Sequence, residues 1–195
     1  MPPVRPGPTL IGSLLPRRVR LAYRHWFWRA SGGIPTSLTA DERNELTRLA
    51  KDATVIEIGS QFGASTITLA RAARIVYAVD HHRGDPVSGE WDTLGDFMAE
   101  IDSYGVRDRV VPLVGRSEQI VGVLAPARFD LVFVDSGKET AAEVSAQASE
   151  ARTLARPGGV IAFHDYGRFP VIDEALLREL GPPARVIDTL AVYDA

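Results

Sequence analysis

The stretch Val55-Ile56-Glu57-Ile58-Gly59-Ser60-Gln61-Phe62-Gly63-Ala64-Ser65-Thr66 decides the fold. A short, β-rich and nearly continuously apolar run stops at a glycine. A tight turn follows, and a helical pattern begins at once. Strands that are apolar on both faces belong to sheets covered above and below, which are mostly parallel. The same unit recurs outward from this stretch. Strands are expected at 54–58, 75–80, 110–114, 129–135 and 160–164, with helices at 64–73, 93–104, 118–124 and 139–154, the last closed by Pro157-Gly158-Gly159. Upstream, Thr39-Ala40-Asp41-Glu42 reads as a capping box opening a helix to Lys51. Downstream, residues 184–195 alternate apolar and polar side chains and supply one or two late strands. Such alternation predicts an α/β fold with a doubly wound, mostly parallel sheet.

The chain has 195 residues, enough for one domain with a substantial core and too few for two. It contains no cysteine, which excludes disulfides, thiolate metal sites and cysteine nucleophiles and suits a reducing, cytoplasmic setting. No apolar run approaches the ~18 residues of a transmembrane helix. The net charge of −3 hides an asymmetry: the first forty residues carry six arginines and no acid, and the remainder is net −9. Residues 1–38 therefore read as a separate arm before a domain at 39–195. Within the arm Val19, Ala22, Tyr23, Trp26, Phe27 and Ala30 recur at helical spacing among arginines. Three roles stand open for this helix at 17–30: a lid or homodimer arm, a peripheral anchor on anionic lipid, or a nucleic-acid arm.

In doubly wound sheets ligands bind at the carboxyl ends of the strands. Gly59 to Gly63 gives a turn through which a backbone approaches a ligand, but it lacks the G-x-G-x-x-G spacing of a dinucleotide fingerprint. Asp80, twenty-one residues beyond Gly59, ends the second strand, where a carboxylate accepts both hydroxyls of a ribose or, more plainly, caps a helix. Gly115-Arg116-Ser117 ends the third. The fourth and fifth strands end in Asp135 and in His164-Asp165, two carboxylates placed to share a hard divalent cation or to cap the following helices. Lys138 is one of two lysines among twenty arginines, and it reads either as a solvated surface residue or as a base, since lysine, unlike arginine, can lose its proton. His164 reads equally as a base, a metal ligand or a structural hydrogen-bond partner.

Taken in order, VIEIGSQFGAST, YAVD ending at Asp80, FDLVFVD ending at Asp135 and LARPGGVIAFHDYG resemble the successive motifs of class I S-adenosylmethionine-dependent methyltransferases, over roughly residues 52–178. Within that superfamily the chain is most similar to small-molecule O-methyltransferases, the catechol and caffeoyl-CoA type and the bacterial group that modifies sugars of macrolides. The resemblance implies that Glu57, Gly59, Ser60, Gly63 and Ser65 line the methionine and ribose portion of S-adenosyl-L-methionine, with Asp135 nearby. It implies Asp80 for the ribose with His81 beside it, and Arg116 and Ser117 for the adenine. Asp135 and Asp165 fall where those enzymes hold Mg2+, and Lys138 coincides with the catechol-type catalytic lysine, with His164 as the second candidate for catalysis. Two departures stand out. The sugar-modifying group reads D-G-x-H-x-Y where this chain has Asp135-Ser136-Gly137-Lys138-Glu139-Thr140, and the catechol type has asparagine where Tyr166 follows Asp165. A third metal ligand would come from His164, the loop at 83–92, or water, and His164 is a soft choice for magnesium.

The expected activity is methyl transfer to a hydroxyl of a small polyhydroxylated acceptor, a sugar, glycoside or natural product. Nucleic acid is not the expected substrate, since no N-P-P-Y-type motif follows the fourth strand. The rival readings are a non-catalytic cofactor-binding or membrane-recruited scaffold and, against the glycine spacing, a nicotinamide oxidoreductase.

Overall fold

Apolar runs buried on both faces become the sheet around which the chain is built. The computed structural model describes residues 33–34, 36–84, 92–124, 128–137 and 140–195; the arm helix expected at 17–30 and Lys138 lie outside them. The elements run α1 (Ala40–Leu49), β1 (Thr54–Ile58), α2 (Ala64–Ala70), β2 (Ile75–Asp80), α3 (Leu94–Ser103), β3 (Val110–Val114), α4 (Ser117–Leu124), β4 (Phe129–Val134), α5 (Ala141–Leu154), β5 (Ala155–Phe163), α6 (Pro170–Leu180), β6 (Arg185–Ile187) and β7 (Leu190–Asp194). The sheet order is β3-β2-β1-β4-β5-β7-β6. β1 to β5 pair in parallel, while β7 is antiparallel to both β5 and β6. The order reverses between β1 and β4, so the ligand crevice of such a sheet opens above these two strands.

Alternate side chains of each strand feed two cores. Val55, Val76, Ala78, Leu131, Phe133 and Val192 pack with Leu46 of α1, Ile67 and Leu69 of α2, and Phe97 and Ile101 of α3. On the other face Ile56, Ile58, Val132, Val134, Ile161 and Phe163 meet Val121 of α4, Val144, Ala148, Ala151 and Leu154 of α5, and Ile172 and Leu176 of α6. The result is a three-layer helix–sheet–helix sandwich. Among the described residues no helix is long and apolar enough to cross a membrane.

The Thr39–Glu42 capping box forms as expected. A second, Thr140 with Glu143, starts α5 at Ala141 rather than at 139. α2 stops at Ala70, short of the expected 73. The fifth strand departs most. It begins at Ala155, and Pro157-Gly158-Gly159 lies inside it as a bulge instead of closing the helix before it. Phe129 pairs with Ala155 and Leu131 with Val160, so the excess residues of β5 loop out between two paired ends.

Candidate functional site

The turn after β1 is packed directly on the turn after β4. Asp135 donates its backbone N–H to Ile58 O at 2.8 Å, and Gly59 donates to Val79 O at 2.9 Å. Gly59 has φ +100°, and a Cβ there would lie 2.3 Å from the carbonyl oxygen of Asp135. Only glycine meets both conditions. At the far end of the turn Gly63 caps α2 with φ +89°, and a Cβ there would come 3.1 Å from the Phe97 ring. Between them Gln61, itself at φ +43°, donates its N–H to Asp80 Oδ2 at 2.8 Å, and His82 donates to Oδ1 at 2.6 Å. The two backbone amides fix the Asp80 carboxylate beside the glycine turn. His82 is buried, its Nδ1 2.9 Å from Thr93 Oγ1 and its ring tilted on Phe97 at 5.1 Å. Burial lowers its pKa against the pull of Asp80, and with Thr93 donating its N–H to the His82 carbonyl the two residues tie together the ends of the segment between them.

Glu57 projects from β1 into the interior and is wholly buried. One carboxylate oxygen accepts from Thr66 Oγ1. The other, Oε1, and the nearby Ser60 Oγ make no hydrogen bond of full geometry, although the Ser60 and Ser65 hydroxyls lie close enough to act on the carboxyl. Burial pushes this carboxyl up to about 7, against the hydroxyls of Ser65, Thr66 and Ser60, which favour its ionised form. Buried polar atoms left short of a full hydrogen bond are uncommon in folded proteins.

The third group lies across the crevice. Asp135 follows β4, His164 and Asp165 follow β5, and Asp165 takes φ +70°. The His164 ring is wholly buried, with Nδ1 3.1 Å from Asp135 Oδ1 and 3.3 Å from Asp165 Oδ1. Arg168 Nη1 also reaches Asp165 Oδ1, at 2.8 Å. The opposite ring nitrogen, Nε2, is 3.2 Å from Thr189 Oγ1 and 3.5 Å from Glu42 Oε2. Thr189 donates both its N–H and its hydroxyl proton to Glu42 Oε1, at 2.8 and 2.6 Å. A hydroxyl has one proton to give, so in the Thr189 contact it is Nε2 that donates. Burial alone would lower the pKa of His164, but the hydrogen bonds to Asp135, Asp165 and Glu42 outweigh it and raise it to about 11. Glu42 responds in kind: burial opposes its charge, yet His164, Thr189 and Thr39 hold it down at about 2.

The structure thus gathers Glu57, Gly59, Ser60, Gly63, Ser65 and Asp80 at the ends of β1 and β2, and brings Asp135, His164 and Asp165 together across from them. Arg116 and Ser117 stand at the end of β3. Arg116 is exposed and 3.8 Å from Glu118, while Ser117 opens α4. His81 spends its Nδ1 accepting the Arg83 N–H at 3.0 Å. Glu42 and Thr189 enter the site unannounced by the sequence: Glu42 reads there as a helix cap, and Thr189 carries no local signal at all.

A family model described as "Methyltransferase domain" matches residues 56–166, more than half of the chain. The catechol O-methyltransferase of Mycobacterium tuberculosis is 38% identical over 109 residues, which make up 55% of this chain and 45% of that protein. The chain therefore spans about half the length of this curated relative. The solved O-methyltransferase TomG from Streptomyces achromogenes, in complex with SAM, shares the fold at a TM-score of 0.60 with 23% identity, over 85% of this chain and 78% of that one. Cofactor-bound Rv0187 from MTB aligns at a TM-score of 0.58 with 28% identity, over 80% of this chain and 68% of that one. With the family model laid over both halves of the crevice just described, the chain belongs to the methyltransferase-domain family and carries the fold of the class I S-adenosylmethionine-dependent methyltransferases.

Proposed function

We propose that this protein transfers a methyl group from S-adenosylmethionine to a hydroxyl oxygen of a small polyhydroxylated acceptor. The observation that carries the reading is the pair of carboxylates at the ends of β4 and β5, Asp135 and Asp165, gathered around His164, with the backbone of Asp135 packed on the glycine turn at the topological switch point. The buried Oε1 of Glu57 and Oγ of Ser60, each short of a full hydrogen bond, fit the polar methionine end of the cofactor, and Asp80 fits its ribose. When bound, the cofactor supplies a methyl group already made electrophilic by its sulfonium. The chain's own residues then have two tasks: to align the acceptor oxygen with that methyl, and to lower the cost of negative charge on the acceptor. Asp135 and Asp165, with His164 between them, fit a divalent cation, which would supply chelation of neighbouring acceptor oxygens and a depressed hydroxyl pKa. Lys138, three residues past Asp135, takes the acceptor proton.

The test is mass spectrometry of products from S-adenosylmethionine and a panel of catechols, glycosides and sugars. A mass gain of one methyl on an oxygen is expected for the wild type. Lys138→Ala is expected to lower turnover by a factor on the order of 10² or more while cofactor affinity is retained. Undiminished turnover would remove the lysine from the reaction, and methylation of nitrogen or carbon alone would sink the O-transfer reading.

Glu57 adds a pH dependence. A carboxyl that titrates at about 7 is largely protonated below that pH and cannot then pair with the cofactor's ammonium group. Calorimetric affinity for S-adenosylhomocysteine is therefore expected to weaken as the pH falls from 8 to 6. Glu57→Gln flattens that slope. A slope that survives the substitution would assign it to another group.

A further inference from the structure

Asp135, Asp165 and His164 each bring one donor atom within 4.8 Å of the other two, and His164 Nδ1 lies 3.1 Å from Asp135 Oδ1 and 3.3 Å from Asp165 Oδ1. Their number and spacing fit a metal with three protein ligands, which would compete with Arg168 Nη1, 2.8 Å from Asp165 Oδ1, for that oxygen. What sets this cluster apart is its third member and what stands behind it. The Thr189 hydroxyl gives its proton to Glu42, so Nε2 is the donor and Nδ1 is the nitrogen turned toward the carboxylates. An imidazole held on its far side by a carboxylate is the usual support of a histidine metal ligand. Glu42 plays that part here, buried on α1 and bonded to Thr39, Thr189 and, at 3.5 Å, His164. Magnesium prefers an all-oxygen shell and dehydrates reluctantly, whereas imidazole nitrogen suits the later first-row divalent ions.

We propose that Asp135, Asp165 and His164 Nδ1 form a three-donor site for a nitrogen-accepting first-row divalent cation, of the class of Co2+ and Zn2+, in preference to Mg2+, with Glu42 and Thr189 as positioning residues that hold the imidazole in ligating orientation. A proton on Nδ1 and a divalent cation answer the same demand for positive charge between the carboxylates, and binding the second releases the first. The assignment deepens the methyl-transfer reading, but it is measured without acceptor or cofactor, so the two stand or fall separately.

The experiment is calorimetric titration of the full-length protein with Co2+, Zn2+ and Mg2+, paired with visible absorption and proton NMR of the Co2+ form. Co2+ and Zn2+ are expected to bind at least tenfold more tightly than Mg2+. The Co2+ protein is expected to show a d–d band and a paramagnetically shifted, solvent-exchangeable signal from the His164 Nε2–H. His164→Asn removes that signal. Thr189→Val, which leaves the Thr39–Glu42 cap intact, weakens Co2+ binding 10–100-fold, as does Glu42→Gln. Absence of Co2+ binding, Mg2+ binding as tight as Co2+, or a Co2+ site indifferent to His164→Asn would each overturn the proposal. A Co2+ site that forms as described in a protein methylating none of the tested acceptors would fell the functional reading and leave this one standing.

Discussion

Gly59→Ala is expected to destabilise the domain by about 4 kcal/mol or more, placing it among the most damaging single substitutions a protein sustains. Two costs add at this one position. A side chain at φ +100° is strained by about 1–2 kcal/mol. The added Cβ would also stand 2.3 Å from the carbonyl oxygen of Asp135, 2.6 Å from its carbon and 2.8 Å from the nitrogen of Ser136. All three are backbone atoms, and Asp135 is held to Ile58 by the 2.8 Å hydrogen bond. Relief therefore means prising β1 from β4, the pair that frames the crevice. Gly63→Ala makes the matched comparison: its φ is similarly positive, but its Cβ would meet side-chain atoms rather than backbone, the Phe97 ring at 3.1 Å and Ile101 at 3.8 Å. Thermal unfolding followed by circular dichroism should show Gly59→Ala melting about 10 °C or more below the wild type, with Gly63→Ala in between. S-adenosylhomocysteine binding should be lost in the first. A Gly59→Ala protein melting beside the wild type would mean that the turns relax at little cost, and the close packing described here would carry no energetic weight.

The strands were legible because burial on both faces writes itself as a continuous apolar run. β1, β2 and β3 fall on the expected residues to the last position. β5 was not legible in full. Pro157 with two glycines reads locally as a stop signal, while the pairing that lets the strand bulge around them depends on Phe129, far away in the chain. The candidate site divides along the same line. Gly59, Asp80, Asp135 and Asp165 announce themselves because each stands at or just past the carboxyl end of a strand, where doubly wound sheets place their ligands, whereas Glu57, inside β1, is marked only by the family resemblance. Glu42 does not, because a local rule accounts for it completely. Its Oε2 caps the Thr39 amide, and the sequence contains no trace of what Oε1 is doing. That oxygen takes two hydrogen bonds from Thr189, 147 residues away. Only after β7 has paired antiparallel with β5 do Thr189 and His164 come within reach of one another. Residues that touch nothing reactive, and act through a neighbour supplied by tertiary structure, have no signature at the level of sequence.

Asp135→Asn is expected to lower methyl-transfer turnover by about 10³-fold while S-adenosylhomocysteine affinity is largely retained. The substitution separates two roles that the residue combines. Its backbone forms the wall against which Gly59 packs, and asparagine keeps that backbone. Its carboxylate, about one-fifth exposed, is what faces His164 Nδ1 at 3.1 Å. An amide oxygen can still accept that hydrogen bond but brings no charge, leaving the buried ring with Asp165 as its remaining charged partner at Nδ1, at a stability cost of about 1–3 kcal/mol. Asp165→Asn is the companion variant, and a clean one, because asparagine tolerates the φ of +70° that Asp165 adopts. If the two carboxylates work as a unit on the acceptor, each single variant removes most of what the unit provides. The double variant then loses little more than the worse single one, as groups acting together do. Losses that multiply would mean that each carboxylate serves a separate step. Turnover within about tenfold of the wild type in Asp135→Asn would be below what a proton-transfer or charge-stabilising group contributes, and the chemistry would have to be sought elsewhere along the crevice.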